Sequence, residues 1–467
     1  MKKALLMTML SGVAMSSPAF ALDEQAILKQ MQQMQEQMQQ MQKQMSNLKN
    51  ELSEAKQEAA SAKKTAGEAK VAKAGKPPEP KGSDVKVSLS PGPKLETADG
   101  EYSFKVGGFA QVDAGFFDDE RADYSDGWTV RRARLNASGT IAKVFNYKIE
   151  NDFANNVSAL TDVYLEYTGL KPTTLMVGQF KEPFGLETLT SDLHTNFVER
   201  ASTVAFSPDR KIGAMVSTSG TVLEGGWTLA VGGFGDGTGV NSNDDEAKDA
   251  TARFTFAPIA EKTRVLHFGI AGSHRVPDSA SDAMTFSSRP ETQLSNSRNA
   301  VSTGSITAID NVNLTGLEAA AVWGPASIQG EYVRAAVDRR AGFMDPTFDG
   351  YYVEASYFLT GESRNYVVNQ GKFDRVRPMW SFNPSQGQWG AWQVMTRFSD
   401  LDLTDANIRG GEMRNTTFGV KWYPHANVAI VADYIRSNVS ALTTAGTPAT
   451  TSNDHPQAWV LRTQFDF

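Results

Sequence analysis

The sequence predicts an all-β fold: a 16-stranded antiparallel transmembrane β-barrel with an N-terminal coiled-coil helix. Three observations support this prediction. Polar and apolar residues alternate with a period of two from residue 84 to residue 467, as in strands that turn successive side chains to opposite faces. The connections between these segments alternate between short and long, which is typical of outer-membrane barrels. The mean hydropathy is −0.36 and no long apolar run follows the N-terminus, which excludes a bundle of membrane helices.

The composition excludes several functional classes. The chain of 467 residues has no cysteine, so a disulfide framework, a thiolate metal site and a cysteine nucleophile are excluded. Its formal net charge of −7 argues against nucleic-acid binding, which needs a basic surface. The GxSxG, HExxH and P-loop motifs are absent and the five histidines are scattered. We therefore expect no enzyme activity, no cofactor and no metal site.

Residues 1–21 have the pattern of a secretory signal peptide. Lys2 and Lys3 precede an apolar stretch, and Ala19 and Ala21 provide the small residues of a cleavage site. The apolar stretch is too short to span a bilayer comfortably. We expect cleavage after Ala21 and export of the mature protein.

Residues 23–70 are predicted to form a coiled coil in the periplasm. Apolar residues from Ile27 to Ala69 follow one another at alternating spacings of three and four, which places them on one narrow seam of a helix. One helix alone cannot bury such a stripe, so the segment predicts self-association, although methionine and alanine leave the number of helices open. A Gln-rich disordered tail is the alternative. Prolines and glycines within residues 71–83 end the pattern and predict a linker.

Residues 84–467 form the predicted barrel. We place its strands near residues 104–117, 128–141, 145–154, 160–169, 173–181, 211–219, 226–234, 250–257, 264–275, 314–323, 326–337, 350–359, 388–399, 415–423, 427–437 and 457–467. A soluble sandwich of this length would need two or more domains, and no linker interrupts this region. The alternation therefore favours one large barrel with a water-filled lumen.

The connections assign the two ends of the barrel. Short turns such as 142–145 and 170–173 alternate with long polar loops such as 235–249 and 277–313. Because short turns face the periplasm, an even strand number puts both termini there, and residues 360–387 become a long periplasmic connection. Aromatic residues near strand ends suit the interfacial girdles of such barrels. They are Phe116, Phe117, Trp227, Trp323, Tyr351, Tyr352, Trp389, Trp392, Trp422 and Tyr423.

Strand parity predicts which arginines face the lumen. Five arginines share the polar face of their strands, namely Arg132, Arg134, Arg253, Arg397 and Arg462. Parity places Arg131 on the opposite face. Several positive charges in a narrow channel add to one potential, so the set favours an anion pathway. Pairing with wall carboxylates is the alternative for each arginine.

Long blocks of this sequence resemble the phosphate-selective porins O and P. They include VRRARLNASGTI (130–141), VGQFKEPFGLETLTS (177–191) and YYVEASYFLTGESR (351–364), and the similarity runs through nearly all of residues 84–467. The resemblance implies a trimeric 16-stranded porin of the Gram-negative outer membrane that passes anions, with lipid around it and the coiled coil three-stranded. Phe467 is similar to the C-terminal aromatic residue by which such barrels are recognised for assembly.

In this family the third loop folds into the pore, and residues 182–209 are similar to that loop. Arg131 and Arg132 match paired arginines of the family pattern, and Arg200 matches the arginine of its loop motif. The residues that parity and the resemblance together place in the anion pathway are Arg131, Arg132, Arg134, Asp162, Lys181, Arg200, Arg253, Arg275, Arg397 and Arg462.

Two positions depart from the family pattern. Leu193 stands where phosphate-binding members have a lysine, and Phe109 stands where they have an arginine. The barrel is also acidic. Residues 1–83 hold 12 of the 46 Lys+Arg and 8 of the 53 Asp+Glu, which leaves 34 against 45 and a net charge of −11 for residues 84–467.

These patterns predict an outer-membrane porin for passive, anion-preferring diffusion of small solutes, with phosphate or polyphosphate as candidate permeants. Two alternatives stay open. The acidic total allows a general or cation-preferring porin on the same fold. The coiled coil also allows a structural protein that is anchored by the barrel and reaches toward the cell wall.

Overall fold

The computed structural model describes residues 85–89, 92–118, 121–122, 124–154, 157–237, 246–278, 282–294, 299–440 and 453–467. The predicted signal peptide, coiled coil and linker all lie outside the described residues. Across the described ranges, no helix has the length and apolar character needed to cross a membrane.

The described residues contain 22 strands, numbered in chain order. A hairpin of β1 (Val85–Ser88) and β2 (Lys94–Thr97) comes first. The barrel strands are β3 (Ser103–Asp118), β4 (Gly127–Ile141), β5 (Phe145–Asp152), β6 (Ala159–Leu170), β7 (Thr173–Lys181), β8 (Arg210–Val222), β9 (Gly225–Phe234), β10 (Lys248–Ala260), β11 (Arg264–Val276), β14 (Ile309–Trp323), β15 (Ala326–Arg339), β16 (Thr347–Phe358), β19 (Ala391–Asp405), β20 (Ile408–His425), β21 (Val428–Ser440) and β22 (Gln457–Asp466). The remaining short strands are β12 (Ser287–Ser288), β13 (Val301–Ser302), β17 (Asn365–Val367) and β18 (Lys372–Asp374).

The barrel is closed and antiparallel. Each barrel strand pairs with the next barrel strand along the chain, and β22 pairs with β3. In that closing pair, Gln457 lies opposite Asp118 and Asp466 lies opposite Phe109. The predicted 16-stranded antiparallel barrel is therefore confirmed.

The strand bounds near residues 399–415 differ most from the prediction. β19 and β20 continue to a tight turn in which Asp405 pairs with Ile408, whereas the sequence predicts a long interruption. At this end of the barrel the inward side chains, such as Leu401 and Met413, are the buried apolar ones, and the outward ones are polar. The alternation therefore reverses its polarity there, and the segment no longer resembles a lipid-facing strand.

The connection between β16 and β19 contains no barrel strand, as the sequence predicts. Its β17 and β18 form a separate two-stranded sheet, with Tyr366 opposite Phe373. The connection leaves the barrel at the end that carries the short turns, such as the one between β6 and β7.

The outer face of the barrel is apolar, as the alternation predicts. Leu135, Ile149, Leu165 and Leu461 are 45–51% exposed on this face. Three of the predicted girdle residues do not lie there. Phe117, Tyr352 and Tyr423 are buried inside, because each is next to another aromatic residue in its strand and successive side chains point to opposite faces.

An apolar core lies inside the barrel toward the long-loop end. Phe184 and Phe206 belong to the connection between β7 and β8, and Phe286 belongs to the connection between β11 and β14. They pack with inward residues of the wall such as Phe348 and Leu401. Connections that fold inward therefore fill part of the lumen and determine where a passage remains.

Candidate channel constriction

The connection between β7 and β8, residues 182–209, folds into the barrel and is called the first inward segment here. Most of its residues are buried, and it contains the short helix α1 (Leu186–Leu189). Glu331, on the inner face of β15, accepts the backbone N–H groups of Leu186 and Glu187 at 2.8 and 2.7 Å. These bonds attach the start of the segment to the wall.

A second inward segment comes from the connection between β11 and β14, at residues 282–294 and 299–308. It reaches β19, where Glu291 lies 2.5 Å from the Nη2 atom of Arg397. Both side chains are almost completely buried. This connection therefore narrows the lumen from the same end as the first inward segment.

A third inward segment, residues 359–390, enters from the short-turn end. The Tyr366 hydroxyl lies 2.6 Å from Nδ1 of His267 on β11. Arg364 donates a hydrogen bond of 2.6 Å to Gln329 on β15. The passage is therefore narrowed from both ends of the barrel.

Arg462 on β22 joins the first inward segment to the wall. Its Nε and Nη2 atoms donate to the two oxygens of Asp113 on β3 at 2.6 and 2.7 Å, and Nη2 also donates to Glu199 at 2.8 Å. The guanidinium also donates to the backbone oxygen of Val198. We call Arg462, Asp113 and Glu199 the loop clamp. Such buried pairs are costly to break, because loss of one partner leaves an uncompensated buried charge.

The Glu199 carboxylate receives three guanidinium groups. Burial alone would raise the pKa of Glu199, but the guanidiniums of Arg132, Arg131 and Arg462 hold it well below its usual range. The loop clamp therefore has an ionised carboxylate at any pH near neutrality.

Arg131 points into the barrel, so its assignment to the lipid face by parity is wrong. Its Nε and Nη2 atoms lie 2.7 and 3.2 Å from the oxygens of Glu199. The register between β3 and β4 shifts between Gln111 and Val112, which makes Arg131 the extra residue of a β-bulge. A bulge lets two successive residues face the same side, so Arg131 and Arg132 both reach the first inward segment.

Asp192 of the first inward segment collects three further guanidinium contacts. Arg200, Arg134 and Arg132 lie 2.6, 3.1 and 3.3 Å from it, and Arg134 also pairs with Asp152 at 2.8 Å. Burial alone would raise the pKa of Asp192, but Arg132 and Arg200 lower it well below its usual range. Arg132 and Arg134 of the barrel wall thus hold the first inward segment through the carboxylate of Asp192.

Arg253 and Arg275 also face carboxylates. Arg253 lies 2.6 Å from Glu318, and Arg275 lies 2.8 Å from Asp249. All eight arginines of the predicted set therefore have a carboxylate partner. This geometry matches the pairing alternative, in which the arginines hold inward segments and wall strands together.

The other two predicted residues have different surroundings. Asp162 lies between Lys148 and Arg210, at 2.8 and 2.5 Å. Lys181, at the end of β7, donates a hydrogen bond of 2.6 Å to the backbone oxygen of Thr188. Among the described residues Lys181 forms no ion pair with a carboxylate.

A lumen cavity of about 370 Å³ opens beside Lys181. Lys372 of the third inward segment lines it too, and no described carboxylate pairs with this lysine. Glu166 and Arg253 are the other charged residues of the lining, and Arg253 is paired with Glu318. Sequence reasoning missed Lys372 because it lies in a connection, where strand parity carries no information.

A second lumen cavity, of about 280 Å³, contains both departures from the family pattern. Leu193 and Phe109 line it, and each is only 9% exposed. The charged lining residues are Lys105, Glu150, Arg375, Arg377 and Asp466. Positive and negative side chains are nearly balanced here.

The burial of inward side chains indicates where the passage runs. Inward residues of β19 to β21, such as Ser399 and Thr417, are completely buried beneath the inward segments. Inward residues of β5 to β8, such as Lys148, Glu166 and Ser217, are only half-buried. We infer that the water-filled passage follows the wall from β5 to β8.

A closed 16-stranded barrel with an apolar outer face and a lumen narrowed by inward segments is the architecture of an outer-membrane porin. The family model for "Phosphate-selective porin O and P" matches residues 104–467. The chain belongs to this family.

The chain is also similar to individual proteins. The chain is 29% identical over 428 residues to Porin O of Pseudomonas aeruginosa, which covers 83% of this chain and 93% of that protein. It is 32% identical over 373 residues to an uncharacterized protein of Caulobacter vibrioides, which covers 76% of this chain and 72% of that protein. Among solved structures, the anion-selective porin from Comamonas acidovorans is 11% identical, with a TM-score of 0.49 over 79% of this chain and 100% of that chain.

Proposed function

We propose that this porin is a water-filled channel through which small solutes diffuse passively, with a preference for anions. The observation that supports the proposal is the pair of lysines at the cavity of about 370 Å³. The carboxylates beside the eight predicted arginines offset their charge. Lys181 and Lys372 form no ion pair among the described residues, and neither does Glu166 at the same cavity, so the unpaired lysines outnumber the unpaired carboxylate by two to one. Unbalanced charge at a narrow point is what selects ions in such pores.

The test is the reversal potential of the purified protein in planar bilayers under asymmetric KCl. The wild-type potential should have the sign of an anion-preferring pore. Lys181→Gln and Lys372→Gln should each lower the chloride-to-potassium permeability ratio by about twofold, as expected for one charge acting over several ångströms of water. Lys262→Gln, in the exposed turn between β10 and β11, is the matched control and should leave the ratio unchanged.

Each other result contradicts the proposal. A wild-type potential of the opposite sign would favour the general or cation-preferring porin. A protein that inserts without conductance would favour the structural alternative. Lysine variants that match Lys262→Gln would remove the two lysines from the pathway.

Phosphate and polyphosphate are the proposed permeants within this class. Leu193 and Phe109 put apolar side chains where a lysine and an arginine are expected, so we propose diffusion without a saturable phosphate site. Phosphate should then inhibit the chloride current only weakly and without saturation. A saturable inhibition curve would overturn this part of the proposal.

The assembly that we propose is a homotrimer in outer-membrane lipid. After removal of residues 1–21, the coiled coil of residues 23–70 would lie in the periplasm as three helices, joined to the barrel by residues 71–83 and able to contact the cell wall. The uninterrupted spacing of apolar residues between positions 27 and 69 supports it. Chemical cross-linking of the full chain and of a chain that starts at residue 84 tests the contribution of the coiled coil.

A further inference from the structure

Glu291 of the second inward segment has an unusual backbone and a large number of partners. Its φ is 49°, in the left-handed region that residues other than glycine seldom adopt, and its side chain is buried. One carboxylate oxygen accepts the backbone N–H of Ser202 at 3.0 Å and the hydroxyl of Ser399 at 2.5 Å. The other accepts Nε and Nη2 of Arg397 at 3.1 and 2.5 Å and the hydroxyl of Thr417 at 3.2 Å.

These partners belong to two different parts of the molecule. Ser202 lies in the first inward segment, whereas Ser399 and Thr417 lie on the barrel wall. Arg397 connects both, since its Nη1 atom donates to the backbone oxygen of Glu199 at 3.0 Å. One carboxylate at the tip of the second inward segment therefore bonds to the wall and to the first inward segment at once.

We propose that Glu291 is a positioning residue that holds both inward segments against the wall from β14 to β20 and so sets the width and the ion preference of the pore. The inward charges of this wall are the three carboxylates of Glu318, Glu331 and Glu354 against the two cations of Arg397 and Lys421, so the wall has a small acidic excess. Glu331 and Glu354 are both buried beneath the first inward segment, which they bind through Leu186 and Asn196. If the segments lift, a second passage opens along this wall, and its lining includes these carboxylates.

This proposal does not depend on the anion preference proposed above, because it concerns a change relative to the wild-type protein. It predicts a result opposite to that of a rigid pore. In a rigid pore, Glu291→Gln removes a negative charge beside Arg397 and raises the anion preference. If Glu291 holds the segments, the same substitution widens the pore, exposes Glu331 and Glu354, and lowers the anion preference.

The experiment measures single-channel conductance and reversal potential of the full-length protein in planar bilayers. Glu291→Gln should raise the conductance and lower the chloride-to-potassium permeability ratio by about twofold. Glu291→Asp keeps the charge but is one methylene shorter, so it cannot reach Arg397 and Ser202 together. It should therefore change both readouts in the same direction as Glu291→Gln.

Asp282→Asn is the matched control, since Asp282 lies in the same segment and pairs with the exposed Arg340. It should behave like the wild-type protein. Heat-modifiable migration on SDS gels checks that each barrel is closed. Ser399→Ala removes one bond to Glu291 without changing charge, and it should show a smaller shift in the same direction even if the glutamate variants do not assemble.

Three results would overturn the proposal. Unchanged conductance with a raised anion preference in Glu291→Gln is the behaviour of a rigid pore. Wild-type behaviour of Glu291→Asp would show that the charge alone matters. If the two Glu291 variants do not assemble, wild-type behaviour of Ser399→Ala would show that the hydrogen bonds to Glu291 do not set the pore width.

Discussion

Loss of Arg462 should release the first inward segment from the wall. Arg462→Met leaves Asp113 and Glu199 buried without this counterion, and breaking such a pair costs about 3–5 kcal/mol. Part of that cost falls on the pairing of β22 with β3. The part of the cost that falls on the first inward segment comes from two hydrogen bonds that Arg462 donates to it, one to Glu199 at 2.8 Å and one to the backbone oxygen of Val198. Each is worth about 1.5–3 kcal/mol for a charged donor.

A conservative share of about 3 kcal/mol raises the released population of the segment about 100-fold, since 1.4 kcal/mol corresponds to a factor of ten. The chain has no cysteine, so one engineered thiol gives a clean signal. Ala201 of the first inward segment is completely buried, and Ala201→Cys supplies that thiol. Its modification rate by a membrane-impermeant thiol reagent reports the released population when opening and closing are fast.

The comparison is between Arg462→Met and Arg436→Met, both in the Ala201→Cys background. Arg436 is an exposed arginine of β21 without an ion pair among the described residues. We expect the modification rate to rise about 100-fold in the first variant and to stay constant in the second. Equal rates in the two variants would refute the view that the arginine of the loop clamp holds the segment.

Three further predictions concern the charges around this segment. Glu199→Gln removes the carboxylate through which Arg131, Arg132 and Arg462 hold the first inward segment, so the modification rate of Ala201→Cys should rise in this variant as it does in Arg462→Met; an unchanged rate would contradict this. The pKa values of Asp192 and Glu199 are lowered by arginines, so their contribution to stability is present above their unfolded pKa values and is lost only as pH falls through the lowered folded values. The ratio of the Ala201→Cys modification rates in Arg462→Met and Arg436→Met, in which the titration of other groups cancels, should therefore stay constant from neutral pH down to about pH 4, and a fall of this ratio near pH 5 would argue against clamping by these carboxylates. Leu193→Lys adds a cation to the cavity of about 280 Å³ and should make phosphate a stronger inhibitor of the chloride current. Unchanged inhibition would show that position 193 does not lie on the path of the anions.

The alternation of polar and apolar residues was sufficient to predict the barrel, because every strand that spans the membrane must turn apolar side chains to the lipid. Leu135 and Leu461 lie far apart in the sequence, yet both are about half exposed on the outer face. The rule fails where lipid contact ends. Leu401 and Met413 turn inward at the long-loop ends of β19 and β20, where the interior is apolar and the outside is polar.

The arginines show which part of a site parity can predict. Parity places Arg397 and Arg462 inside, and the structure finds them there with buried carboxylate partners. It gives the wrong face for Arg131, because the β-bulge between β3 and β4 has no signature in the alternation. Parity also says nothing about partners such as Glu199, since these come from connections whose path depends on tertiary packing.

The position of the acidic residues shows how a net charge of −11 for the barrel region is compatible with the anion preference proposed above. Asp349, Asp402 and Glu412 face outward at the long-loop ends of their strands, where Asp402 lies opposite both of the others. Inside, the carboxylates of Asp192 and Glu199 are each surrounded by arginines. Screening limits the outer charges to a range of about 8 Å in physiological salt, and the arginines offset the charges of Asp192 and Glu199. The sign of the ion selectivity then depends on the few charged side chains along the passage that have no partner, and not on the net charge of the barrel. Substitution of single lysines measures the contribution of each of these side chains.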